Sequence, residues 1–278
     1  WRKEQMANGA VFYKDHEFSD LVKRYFRNPN DDDATNRIRA RLGQIQMAYD
    51  YDLVKLLDPQ FNKKMVTPEK SERTHSFVGE EATRALKSGE MAFQDFYFNE
   101  QDQKAYVKVL VPIIDRHPGG GLIGILSLRI DPEHYLYPSI QTWPTPSNSA
   151  ETLFLRRDGN DALYLNALRH QSGTALTLRI PLDKVEVPAV RAALGETGIM
   201  QGPDYRGVPV IACARPVPGS PWHLIAKVDV AGSSPVSRSR FLRRAAVSAA
   251  ALRHSQPFVE VRMGHIFFAP ADCGVIGL

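Results

Sequence analysis

The chain has 278 residues, of which 43% are hydrophobic, 24% charged and 9% aromatic. This composition is typical of a soluble globular protein with a sizeable core, and its 19 Gly and 19 Pro are spread out, which excludes collagen-like and low-complexity chains. The formal net charge is +4, but residues 232–278 hold six Arg against two acidic residues. Residues 1–231 therefore carry 29 basic and 29 acidic side chains, and the excess positive charge belongs to the C-terminal tail.

The N-terminal segment predicts two helices. Apolar residues recur at helical spacing over residues 1–26, and Asn-Pro-Asn followed by three Asp at 28–33 predicts a break. A second helix is expected to reach about Tyr49, with either Asp33 or Thr35 as its N-cap. The side chains expected to face inward along this second helix are Ile38, Leu42, Ile45 and Met47.

From Tyr51 onwards the pattern changes to short strands with one helix. Strands are predicted at 52–57 and 64–67, a helix at 77–86, and then strands at 91–98, 104–114 and 122–130. The last three strands are apolar runs separated by turn residues, which predicts an antiparallel meander.

The second half of the chain repeats this order. The matching elements are a strand at 151–157, a helix at 188–194, and two closing strands at 208–217 and 222–230. The closing strands correspond closely, since one ends in Leu-Arg-Ile-Asp and the other in Ala-Lys-Val-Asp. We therefore predict an α+β fold in which an N-terminal helical segment precedes two tandem modules, each a mainly antiparallel sheet with flanking helices.

The repeat divides the chain into five segments. They are a helical segment at 1–49, a first module at 50–136, a junction at 137–149, a second module at 150–230 and a basic tail at 231–278. The tail has two readings: a basic amphipathic helix, or a sequence read out of frame. Because the chain starts at Trp1 in a helical pattern, we expect it to be a fragment that has lost any signal peptide or membrane anchor.

Sequence signatures of catalysis and of metal binding were not found. Pro-Gly-Gly-Gly at 118–121 lacks the ending of a phosphate-binding loop and fits a hairpin turn. Cys213 lies in an aliphatic strand and is expected to be a buried small hydrophobe. Asp131, Glu133 and His134 could bind a metal, but an Asp-Pro-Glu helix start explains them more simply. We expect no catalytic residue, no bound metal and no cofactor.

Polar side chains alternate along two neighbouring predicted strands of the first module. Asp95 and Tyr97 lie on one strand, and Tyr106 and Lys108 lie on the next. Because side chains two apart on a strand share a face, each pair is expected to point to one side of the sheet.

Two further polar residues, Arg73 and His75, lie in the loop before the helix that should cover this sheet. The six residues together predict a concave site for a small anion or zwitterion, in which Arg and Lys bind a carboxylate, Asp binds an amine and the Tyr rings form walls. An ordinary solvent-facing strand face is the alternative. In the second module the polar candidates are Arg169, His170 and Tyr205.

Several stretches of the chain resemble double Cache sensor domains, the extracytoplasmic PAS-like regions of bacterial sensor histidine kinases and diguanylate cyclases. The resemblance covers about residues 1–230. The stretches that carry it are Leu-Arg-Ile-Asp-Pro-Glu-His-Tyr-Leu-Tyr-Pro at 128–138, Gln-Thr-Trp-Pro-Thr-Pro-Ser-Asn-Ser-Ala-Glu-Thr at 141–152, and those at 165–170, 188–195, 204–210 and 215–222.

This resemblance implies a sensor rather than an enzyme. Such domains lie outside the inner membrane, in the periplasm, between two transmembrane helices of a receptor that forms homodimers. The membrane-distal module, here 50–136, would hold a small molecule that is a carboxylate or resembles an amino acid. The proximal module, here 150–230, would relay the change to a cytoplasmic kinase or nucleotide cyclase of a two-component or cyclic-di-GMP system. Family members continue after the residue equivalent to Asp229 into an apolar membrane helix, and this sequence does not.

Three other functions were weighed against sensing. The domain could instead bind a periplasmic partner or mediate dimerisation without any small ligand, since no ligand-reading motif was identified. An enzyme with an unrecognised site is the second alternative. Nucleic-acid binding by the Arg-rich tail is the third, but no aromatic residues are interleaved with the cluster at 238–244, and we expect no nucleic-acid partner.

Overall fold

The computed structural model describes residues 1–13, 15–69, 78–115, 117, 120–141 and 147–230. The tail at 231–278 thus lies outside the described residues. Contacts within the chain divide it between Leu136 and Tyr137 into two compact units, each with its own antiparallel sheet. No helix among the described residues is long and apolar enough to cross a membrane.

The first unit opens with three helices, α1 (Arg2–Tyr13), α2 (His16–Arg27) and α3 (Asp32–Ala48). The prediction of one helix over residues 1–26 is wrong, because the Asp15 carboxylate accepts a hydrogen bond from the Phe18 amide and starts a new helix. The prediction that Asp33 or Thr35 caps α3 is also wrong. Asp31 is the cap, and its side chain accepts a hydrogen bond of 3.0 Å from the Ala34 amide.

The inward face of α3 follows the predicted spacing at three of four positions. Ile38, Leu42 and Ile45 are buried, whereas Met47 is 74% exposed. Met47 lies two residues after Ile45, and a helix turns by about 100° per residue, so its side chain points away from the buried stripe. The prediction that Met47 faces inward is therefore wrong.

The first sheet has five antiparallel strands in the order β2-β1-β5-β4-β3. Its strands are β1 (Leu53–Leu57), β2 (Lys63–Thr67), β3 (Ala92–Asn99), β4 (Lys104–Ile114) and β5 (Leu122–Ile130). A helix, α4 (Glu80–Lys87), lies between β2 and β3 along the chain. The bounds of β4 and β5 are those predicted.

The two faces of this sheet bury different partners. On one face Val109 and Val111 contact α1 at Gly9, where the helix backbone comes close to the sheet. On the other face Leu110 of β4 packs against Leu86 of α4, in a cluster with apolar side chains of β1 and β5. The second face is apolar where α4 covers it, and beyond that helix it carries charged and polar side chains.

The second unit has a six-stranded antiparallel sheet in the order β8-β7-β6-β11-β10-β9. Its strands are β6 (Glu151–Asp158), β7 (Asp161–Tyr164), β8 (Arg179–Pro181), β9 (Gly198–Pro203), β10 (Pro209–Pro216) and β11 (Trp222–Asp229). Two short helices complete it, α5 (Leu136–Gln141) at the division between the units and α6 (Pro188–Ala193).

The core of the second unit lies between the sheet and α6. Val190 of α6 packs with Leu155, Ala212 and Ile225 from three neighbouring strands. Both units therefore have strands, then a helix, then a three-stranded meander, as the internal repeat predicted, but the second unit has a third strand, β8, before its helix. The predicted fold class, α+β with N-terminal helices and two mainly antiparallel sheets, is confirmed.

Candidate functional site

Charged and polar side chains interrupt the α4 face of the first sheet. Lys55, Lys108 and Arg129 are 6%, 4% and 3% exposed, although each has a basic side chain. The strand register places Lys108 opposite Arg129, and Lys55 opposite the buried Ser127. Because β1, β5 and β4 are neighbours in the sheet, these four side chains form one cluster across three adjacent strands, here called the cationic cluster.

The cationic cluster begins where the cover of α4 ends. Lys55 precedes Leu57 by two residues, and Lys108 precedes Leu110 by two, so the charged and the apolar side chains share one face. The backbone amide of Gly79, the N-cap of α4, donates a hydrogen bond of 2.7 Å to the Gln94 side chain. Gln94 lies opposite Lys108, and the first turn of α4 therefore lies at the edge of the cluster.

Arg129 is held by two carboxylates and one aromatic ring. Its Nε donates to Asp52 Oδ2 at 2.5 Å, and its guanidinium reaches Asp102 Oδ2 at 3.2 Å. Its carbon Cζ lies 4.1 Å from the centroid of the Tyr106 ring, a cation–π contact. Burial raises the pKa of the Tyr106 phenol, so its hydroxyl remains protonated and able to donate at neutral pH.

Lys108 lies against the aromatic wall of the cluster. Its ammonium is 4.3 Å from the centroid of the Tyr97 ring, and the Tyr97 and Tyr106 rings are 6.3 Å apart and tilted. Aromatic faces attract cations, and such contacts are stronger when water is excluded. Basic side chains and two aromatic rings thus lie next to one another, and such a combination suits a small anionic or zwitterionic molecule.

The structure brings together three of the six predicted site residues, Tyr97, Tyr106 and Lys108. The other strand residue, Asp95, lies where the register between β3 and β4 shifts, between Gln94 and Tyr97. Such a bulge inserts an extra residue into one strand. The Asp95 carboxylate accepts a hydrogen bond of 2.7 Å from the next backbone amide.

The other two predicted site residues, Arg73 and His75, lie outside the described residues. The structure adds four polar residues that sequence reasoning missed. They are Lys55, Arg129 and the two carboxylates that bind Arg129, Asp52 and Asp102. A signal for the first two was present, because each is a charged residue inside an apolar strand run and such residues are rarely buried without a partner.

Comparison with known proteins gives structural likeness only. No protein-family model and no curated protein matches the sequence. The sensor domain of the V. cholerae histidine kinase DctB aligns with a TM-score of 0.50 at 15% identity, over 79% of this chain and 86% of that one.

Two chemoreceptor domains align slightly less well. The ligand-binding domain of the Pseudomonas aeruginosa PAO1 amino acid chemoreceptor PctC, in complex with GABA, gives a TM-score of 0.49 at 15% identity, over 82% of this chain and 97% of that one. That of the Pseudomonas fluorescens chemoreceptor CtaA, in complex with L-serine, gives 0.48 at 12% identity, over 82% and 95%.

The fold is that of a double Cache-type sensor domain. At this level of identity the likeness concerns the fold and not the ligand. In the double Cache-type fold of this chain, the first module contains the cationic cluster described above.

The second module of this double Cache-type fold has a buried charged group of its own. The Lys227 ammonium lies 2.9 Å from Glu151 and 2.8 Å from Asp204, and these three side chains are each 3% exposed. Arg206 binds Asp204 at 2.7 Å and Asp229 at 2.5 Å. Burial opposes ionisation of Asp204, but hydrogen bonds from Arg206 and Lys227 outweigh it and lower the pKa of this carboxyl.

These charges in the second module satisfy one another. The candidates named from the sequence belong to this network or lie near it. Tyr205 donates a hydrogen bond of 3.1 Å to Glu151, the Arg169 guanidinium donates to the carbonyl oxygens of Ser147 and Ala150 at 2.9 Å, and His170 is exposed. A network of paired charges and capped carbonyls is typical of a structural role.

The acidic residues after β5 are also engaged. Lys104 binds Asp131 at 3.3 Å and Glu133 at 2.7 Å, and Asp131 accepts a hydrogen bond from the Glu133 amide. The sequence allowed two interpretations of the acidic residues here, a metal site and the start of a helix. Within the part of the chain that the structure describes, no three His, Cys, Asp or Glu side chains are placed to hold a metal ion.

Proposed function

We propose that this chain is the extracytoplasmic ligand-sensing domain of a transmembrane receptor, a sensor histidine kinase or diguanylate cyclase, and that its first module binds a small molecule. The single observation that supports this most is the cationic cluster, Lys55, Lys108, Arg129 and Ser127, buried on the α4 face of the first sheet. The double Cache-type fold supports it at the level of architecture.

The physical argument starts from the cost of burying charge. Moving an ammonium or guanidinium group out of water is unfavourable unless opposite charges and hydrogen bonds compensate it. Three such groups lie together on neighbouring strands of the first sheet. Concave sites with convergent charged groups and aromatic walls are the usual form of small-molecule sites.

Signalling by such a domain would work through a shift in population. A ligand that contacts the cationic cluster and the first turn of α4 would favour one arrangement of the first module over another. The second module, a chain neighbour on the path to the C-terminus, would relay that change across the membrane in a homodimeric receptor. The cytoplasmic output domain would supply the enzymatic activity.

A thermal-shift panel of amino acids, carboxylates and amines tests the proposal on the whole chain. We expect at least one compound to raise the melting temperature, because a ligand that binds the native state stabilises it by mass action. Lys108→Met should remove that shift, whereas Lys87→Met, on the exposed side of α4, should retain it.

A panel in which no compound raises the melting temperature would contradict the proposal. The same result would favour the alternative function, an interaction or dimerisation domain that engages a periplasmic partner without a small ligand. Loss of the shift in both lysine variants would place the binding site elsewhere in the chain.

A further inference from the structure

We propose that Arg129 and Lys227 are equivalent residues of the internal repeat, and that each closes an ion clamp on the meander hairpin of its own module. The first clamp consists of Arg129, Asp52 and Asp102, and the second of Lys227, Glu151 and Asp204. In the first module this makes Arg129 a positioning residue, which holds Tyr106 in the candidate site and does not itself bind the ligand. The clamps do not depend on the proposed function, whereas the positioning role rests on it.

The two basic residues occupy the same position in their modules. Arg129 lies in Leu-Arg-Ile-Asp at the end of β5, and Lys227 lies in Ala-Lys-Val-Asp at the end of β11. Each of these strands lies between the first strand of its module and the middle strand of its meander. Each basic residue also shares a face of its sheet with an isoleucine that packs towards the helix of that module, Ile125 or Ile225.

The first carboxylate of each clamp comes from the start of the first strand. The Arg129 Nε donates to Asp52 Oδ2 at 2.5 Å, and Asp52 immediately precedes Leu53, the residue opposite Arg129. The Lys227 ammonium lies 2.9 Å from Glu151, which is itself the residue opposite Lys227 on β6. In both modules the first and last strands are thus joined by an ion pair.

The second carboxylate of each clamp comes from the hairpin between the first two strands of the meander. Asp102 lies between β3 and β4, 3.2 Å from the Arg129 guanidinium. Asp204 lies between β9 and β10, 2.8 Å from the Lys227 ammonium. Opening either hairpin would take one carboxylate away from a buried basic group, which is unfavourable. Each clamp therefore raises the free energy of local opening at its hairpin.

A tyrosine ring lies against the basic group of each clamp. The Arg129 Cζ is 4.1 Å from the centroid of the Tyr106 ring, and the Lys227 ammonium is 5.0 Å from that of the Tyr205 ring. The Tyr106 hydroxyl is also hydrogen-bonded to the Asp102 carboxylate. Tyr106 thus contacts two members of the first clamp, and the clamp holds this wall of the candidate site in place.

Hydrogen–deuterium exchange of the whole chain without ligand tests the clamps. Arg129→Met should accelerate exchange at residues 99–106 by about tenfold or more, because Asp102 loses its basic partner. Arg129→Lys should change it by less than about threefold, because a lysine closes the second clamp. Lys227→Met and Lys227→Arg should give the same pair of results at residues 203–209. Glu90→Gln, at an exposed carboxyl in the first unit, should leave both segments as they are in the unaltered chain.

Asp102→Asn keeps the test available if a methionine variant does not fold, since the Asp102 side chain is 32% exposed. It too should accelerate exchange at residues 99–106. Unchanged exchange there in the folded variants would overturn the first clamp. Equal acceleration by Arg129→Lys and Arg129→Met would overturn the equivalence of the two basic residues.

Binding of a carboxylate identified by the thermal-shift panel tests the positioning role. If Arg129 only positions Tyr106, Asp102→Asn should weaken binding, because the ring loses part of its support. If Arg129 bound the ligand directly, the same substitution would strengthen binding, because it removes a carboxylate that competes for the guanidinium. Tighter binding would therefore overturn the positioning role. An empty panel would remove that role together with the site, and the exchange measurements would then decide the clamps alone.

Discussion

At the scale of single residues, the two modules treat buried charge in different ways. In the first module Arg129 binds two carboxylates, while Lys108 lies against the Tyr97 ring. In the second module Lys227 lies between Glu151 and Asp204, so that each charge has an opposite neighbour. The charges of the second arrangement neutralise one another, and our proposal therefore assigns ligand binding to the first module.

The ion network of the second module predicts a loss of stability in acid. The folded-state pKa of Asp204 is lowered from the ordinary value of 3.8. A carboxyl with a lowered folded pKa contributes stability above its unfolded pKa and loses it as the pH falls through the folded pKa. We therefore expect the melting temperature to fall as the pH drops below about 4 and further as Asp204 becomes protonated.

Substitution of this carboxyl gives the matching variant. Asp204→Asn should lower the free energy of unfolding by about 3 kcal/mol at neutral pH, because it leaves Lys227 and Arg206 without one buried partner, and it should flatten the acid dependence. Asp183→Asn, an exposed carboxyl in the same unit, should keep the stability of the unaltered chain at neutral pH. Denaturant unfolding at pH 7 and pH 3.5 measures both effects. An unchanged acid dependence in Asp204→Asn would contradict the account.

At the scale of secondary-structure elements, the close approach of α1 to the first sheet depends on a glycine. A Cβ at Gly9 would lie 2.8 Å from both the Met91 methyl and Val109, and Val109 is fully buried. At Gly43, on α3, no atom lies within 4 Å of such a Cβ. The two helical glycines thus differ in the space available to a methyl group.

This contrast predicts opposite effects of one substitution. Gly43→Ala should stabilise the chain by about 0.5–1 kcal/mol through helix propensity. Gly9→Ala gains the same propensity, but overpacking costs about 1–3 kcal/mol, so a net loss of about 1 kcal/mol is expected. Urea unfolding of both variants measures the difference. If Gly9→Ala were stabilised as much as Gly43→Ala, the packing of α1 on the sheet would be wrong.

Elements with strong local signals were predictable from the sequence. The strands β4 and β5 are long apolar runs between clear turns, and their bounds were predicted to the residue. The bounds of β7 and the presence of β8 were not predicted, because strands of four and three residues carry no detectable period. The break between α1 and α2 could have been found, since Asp15 begins a helix-start pattern.

The candidate site was less predictable because it depends on long-range pairing. Tyr97, Tyr106 and Lys108 could be placed together from alternation on adjacent strands of the chain. Arg129 joins them from β5, the next strand along the chain, whereas Lys55 joins them because β1 lies beside β5 in the sheet, although many residues separate these two strands in sequence. Sequence spacing does not determine such a pairing, and it does not reveal the bulge in β3 between Gln94 and Tyr97 either.

At the scale of the whole molecule, one architectural plan occurs twice, and the two units bury different charged groups. In both units a helix separates the first strands from a three-stranded meander, and an apolar core lies between the sheet and that helix. The positive charge on which the proposed function depends is therefore not the net charge of the chain. It is the local charge of three side chains on one face of the first sheet.

Hydrogen–deuterium exchange with the compound that most raises the melting temperature tests the central claim most directly. Amide protection reports local stability, and a bound ligand raises it in the segments that contact it. The account predicts increased protection in β4 and β5 around Lys108 and Arg129 and at the start of α4. Increased protection confined to the second module, or none in the first, would contradict it.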